Sequence, residues 1–85
     1  MRLNEYKEKT EWVNIELNRL KEKRDQAMGL YVAVVKTNAN NVEDDIRRLK
    51  SMDILEEIVI NYVDKIRNLN NLKYYLSGLI DYTGE

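Results

Sequence analysis

Apolar side chains recur at alternating steps of three and four residues from Leu3 to Val34, and again from Met52 to Ile80. That spacing is the heptad pattern by which one helix buries a stripe against another. The first run carries Leu3, Tyr6, Val13, Leu17, Leu20, Tyr31 and Val34, with Thr10, Arg24 and Ala27 as its weaker positions. The second carries Met52, Leu55, Val59, Tyr62, Ile66, Leu69, Leu76 and Ile80, and only Lys73 breaks it. The chain has no proline and 3 glycines, and 34% of its residues are charged, so little opposes long helices.

Between the runs lies Thr37-Asn38-Ala39-Asn40-Asn41, the one cluster of turn formers. Asn40 or Asn41 is placed to cap a second helix, with Glu43 or Asp44 following in the manner of a capping box. The acids Glu43, Asp44 and Asp45 suit the positive end of that helix, and Lys36 suits the negative end of the first. Folding about this turn pairs Leu3 with Leu76, Val13 with Ile66, Leu17 with Tyr62, Leu20 with Val59 and Ala27 with Met52. Both heptads meet in one register. The expected fold is therefore all-α, a long antiparallel αα-hairpin of coiled-coil type, forming a single helical domain over residues 1–85. Its elements are a helix over about 4–37, a turn at 38–41 and a helix over about 42–82. Two details could modify it. The β-branched run Leu30–Val35 could be a short strand, but it has no partner strand, and helix is favoured. Asn68, Asn70 and Asn71 could break the second arm and let residues 72–82 fold back as a short third helix, but the heptad running through Leu69, Leu76 and Ile80 favours continuity.

Composition removes most chemistry. Cysteine and histidine are both absent, which excludes disulfides, thiolate metal sites and the commonest general base. No catalytic residue, cofactor or metal is expected. Asp53, Glu56, Glu57 and Asp64 offer carboxylates, but the Glu-x-x-His motif of di-iron bundles cannot be built without histidine. A net charge of −1 argues against a polyelectrolyte role. Arg2–Asn4 leads straight into a charged helix and no long apolar stretch follows, so neither a signal peptide nor a membrane span is expected. A cytoplasmic location follows.

The two seams leave apolar residues over. The second arm adds Ile54, Ile58, Ile60, Val63, Leu72, Tyr75 and Leu79, and the first adds Trp12, Ile15 and Leu30. A two-helix hairpin cannot cover so many. Ile54, Ile58, Val63, Leu72, Tyr75 and Leu79 are the candidate face for a partner or for oligomerisation. Two hairpins docking into a four-helix bundle would make the chain a homo-oligomer, a dimer in the simplest case. A helix of another protein could occupy the same stripe.

The polar residues divide similarly. Arg24 lies on the seam and is expected to send its guanidinium to water or a nearby carboxylate. Glu43 with Arg47 and Asp44 with Arg48 are spaced for ion pairs along one helix. Arg19, Lys21, Lys23, Arg47, Arg48 and Lys50 are the candidate phosphate contacts of an alternative, a dimeric nucleic-acid-binding regulator, although such binding is the weaker expectation. A remote alternative comes from Leu20-Lys21-Glu22-Lys23-Arg24-Asp25-Gln26-Ala27, which loosely resembles the first helix of all-helical chorismate mutases. That resemblance implies a pocket for a dianionic substrate, with Lys7, Arg24 and Lys36 as its cations. The expectation that best fits the whole chain is a non-enzymatic protein–protein interaction module. Such a small helical adaptor or inhibitor would dock an apolar helical face on a partner protein. The abundance of Asn, Lys and Ile fits an AT-rich bacterium, and a phage or mobile-element product is a natural sub-case.

Overall fold

The computed structural model describes residues 2–38 and 40–83. They form two helices, α1 (Arg2–Lys36) and α2 (Val42–Thr83), packed as an extended hairpin. The Cα atoms span 66 × 14 × 14 Å. Leu30–Val35 is helical, and α2 runs through Asn68–Asn71 without a break. Continuity of the heptad outweighs the weak helix preference of three asparagines, because a break would strip Leu76 from the seam. Among the described residues, no helix is long and apolar enough to cross a membrane.

The buried residues are Val13, Leu17, Leu20, Ala27, Ile66 and Leu76, all at heptad seam positions. Tyr6, Tyr62, Leu69 and Leu79 pack against this core. The core is unevenly placed. Its closed part lies in the half of the hairpin remote from the turn. Among the described residues nearer the turn only the small Ala27 is buried, while Tyr31, Val34, Met52, Leu55 and Val59 stay partly exposed.

Polar residues on the seam are satisfied locally. Thr10 donates its hydroxyl to the Tyr6 carbonyl at 2.8 Å, so it needs no partner across the interface. Arg24 turns outward to the Asp25 carboxylate at 3.1 Å. Lys73 is exposed, its long stem allowing the ammonium to reach water.

At the turn, Asn41 is the cap. Its Oδ1 accepts the Asp44 N–H at 2.9 Å, and its carbonyl accepts the Asp45 N–H at 3.1 Å. The end of α1 is closed by the Thr37 N–H donating to the Val34 carbonyl, and by its hydroxyl donating to the Ala33 carbonyl. Arg48 then ties the arms together. One amino group donates to the Thr37 carbonyl at 3.1 Å and the other to Asp45 at 2.9 Å. Arg48 thus pairs with Asp45, one residue later than the expected Asp44, because from there its guanidinium also reaches an open carbonyl at the end of α1. Asn41→Ala is expected to cost about 1 kcal/mol through the lost cap, with Asn41→Asp close to neutral. Urea denaturation followed at 222 nm measures this directly.

Candidate functional site

A hairpin presents two flanks, one on each side of its seam. The clefts between the arms show which residues share a flank. Met28 and Val32 of α1 line a depression of about 240 Å³ with Glu56 of α2, floored by Tyr31 and Val59. On the opposite flank, Glu16 and Arg19 line another of about 350 Å³ with Lys65 and Asn68, above Leu20 and Leu69. Nearer the turn, Thr37, Asp44, Arg47 and Ser51 border a third, of about 380 Å³. Helical periodicity assigns these last two clefts to one flank. These two clefts are bordered mostly by charged, amide and hydroxyl side chains, and the cleft at Met28 mostly by apolar ones.

Arg19 and Glu16 pair at 3.0 Å, and the hydrogen bonds from Arg19 hold the Glu16 carboxyl below its usual range. At the Met28 cleft the Tyr31 hydroxyl donates to Glu56 Oε1 at 2.8 Å, bridging the two arms. That bond stabilises the protonated phenol and raises its pKa above the ordinary value.

The candidate docking residues do not form one stripe. Ile54, Ile58, Leu72 and Tyr75 lie at heptad positions on the polar-clefted flank and are exposed. Lys65, with Asn61 and Asn68, divides them into two groups, and Ile58 lies roughly 21 Å along the helix from Leu72. Val63 points to the other flank. Leu79 is half-buried against the core, so part of its side chain already has a partner.

The larger continuous surface was not apparent from the second arm alone. Met28, Val32 and Val35 of α1 fall on the same flank as Val42, Ile46 and Leu49 of α2, all beside the turn. Their exposures run from 43% to 74%. A helical wheel of each arm, superposed about the turn, would have shown them adjoining. Met28, Val32 and Val35 supply the α1 side of this face.

The basic residues are dispersed. Arg48 is committed to the turn and Arg19 to Glu16, whereas Lys21, Lys23, Arg47 and Lys50 point in different directions around the two helices. Lys7 and Lys36 lie about 43 Å apart along α1, so with Arg24 they do not converge within one chain. Of the carboxylates, Glu56 meets Tyr31 and Asp64 pairs with Arg67 at 2.9 Å. Among the described residues no three carboxylates gather closely enough to hold a metal ion. No family model, curated protein or solved structure matches the chain.

Proposed function

We propose that this chain is a non-enzymatic interaction module whose activity is the docking of exposed apolar helix faces onto other protein surfaces. One observation carries this reading. The chain exposes 6782 Å², whereas a compact monomer of its 10.1 kDa mass exposes about 5,300 Å². The exposed surface includes large aliphatic and aromatic side chains, among them Trp12, Ile54, Ile58, Leu72 and Tyr75, each at least 38% exposed. Apolar surface of this extent marks association sites in soluble proteins. The chemistry left by a chain without cysteine or histidine gives no competing role of equal weight.

The module is a small adaptor or inhibitor acting in the cytoplasm, and its composition suits a product of a phage or mobile element in an AT-rich bacterium. Partner capture by the wild type and by an Ile58→Asp/Leu72→Asp variant tests the α2 surface. The variant is expected to lose specific partners while keeping its helicity. Identical partner sets from both proteins would overturn that surface as the docking face.

A further inference from the structure

The flank beside the turn deepens this reading. We infer that Met28, Val32 and Val35 of α1, with Val42, Ile46 and Leu49 of α2, form the interface for a second copy of this chain. In this arrangement the turn ends of two antiparallel hairpins overlap. The inference rests on the chain being an interaction module, and it assigns the partner of one face.

Three observations converge. First, the rod as a whole exposes roughly 1,500 Å² more than a compact monomer of its mass, and a stable dimer takes about 800 Å² from each copy. Second, the six side chains together expose roughly 500 Å² of apolar residue within the last few turns, a core for such an interface that a polar rim would complete. Third, this is the half of the hairpin in which the seam itself is poorly closed. Tyr31, Met52 and Val59 remain partly exposed there, so a second hairpin would complete the burial that the first cannot. Both arms contribute apolar residues to this flank. On the opposite flank, α1 presents Leu30 and Thr37 beside the turn and Lys9, Glu16 and Lys23 farther from it.

The orientation follows from what lies further along the same flank. Away from the turn it carries Lys7, Asn14 and Lys21 on α1 and Asn70 and Ser77 on α2, with Val63 as its one apolar residue in that row. Hairpins packed side by side in parallel would press these polar groups together along the whole rod, at a desolvation cost. Overlap of the turn ends alone buries the apolar patch and leaves the remote halves in water.

Light scattering on the purified chain should give twice the 10.1 kDa chain mass at micromolar concentration. Small-angle scattering should give a maximum dimension of about 110 Å, for two rods sharing roughly 20 Å at their tips. Val35→Lys/Leu49→Lys alters residues 43% and 51% exposed, and should weaken dimerisation at least about 100-fold with helicity retained at 222 nm. Ile58→Asp/Leu72→Asp, on the other flank, should remain dimeric. A wild-type monomer at hundreds of micromolar, or a dimer that survives the lysine pair, overturns the inference. A dimer of maximum dimension near 66 Å overturns the overlapped geometry. Failure here leaves partner capture through Ile58 and Leu72 standing, since that surface lies on the opposite flank.

Discussion

Val13→Asp is expected to unfold the chain, whereas Ile15→Asp, two residues away on the same helix, leaves it folded. Val13 is 0% exposed and sits at the centre of the closed core with Leu17, Leu20 and Ile66. A carboxylate there has no partner among the neighbouring apolar side chains, and burying it costs several kcal/mol. An 85-residue domain holds a total stability of only about 4–13 kcal/mol, so one such substitution consumes most of it. Ile15 is 66% exposed, and a charge there should change stability by no more than about 0.5 kcal/mol. Circular dichroism at 222 nm separates the two outcomes. Comparable helicity in both variants would mean that the arms are not packed about Val13.

Leu76→Ala should cost about 2–4 kcal/mol, and Leu72→Ala less than about 1 kcal/mol. The two leucines are one helical turn apart on α2, but Leu76 is 3% exposed and Leu72 is 40% exposed. The large-to-small change at Leu76 removes buried methyl groups and leaves a cavity in the core. At Leu72 the lost atoms were already partly in water. Urea denaturation midpoints compare the two. The contrast also probes the continuity of α2, since a break at Asn68–Asn71 would turn a different set of residues inward. Equal costs at both positions would argue for such a break.

Much of the architecture is legible in the linear pattern. The heptads specify two helices because a 3.6-residue turn places every third or fourth side chain on one stripe. All six buried residues lie on those stripes. Asn41 is legible as a cap because a short side-chain oxygen followed by an acidic first turn satisfies the free N–H groups of a helix start. Local chemistry suffices for both.

The candidate surface is less legible in the sequence, for reasons that are not local. Ile58 and Val63 are equally apolar, and nothing in the residues themselves says that they face opposite flanks until the seam has been oriented against a second helix. Leu79 has the same heptad position as Leu72, yet it packs on the core while Leu72 is more exposed. Arg48 has the spacing of an ordinary surface ion pair, but its reach to the Thr37 carbonyl exists only once the chain has reversed. The apolar face beside the turn has the same origin. Met28, Val32 and Val35 are unremarkable on α1, as are Val42, Ile46 and Leu49 on α2. The linear pattern is enough to specify the hairpin, its turn and its seam, because periodicity acts within one helix. Which leftover residues merge into a face depends on how the two helices are rotated about their common seam, and that is a property of their packing.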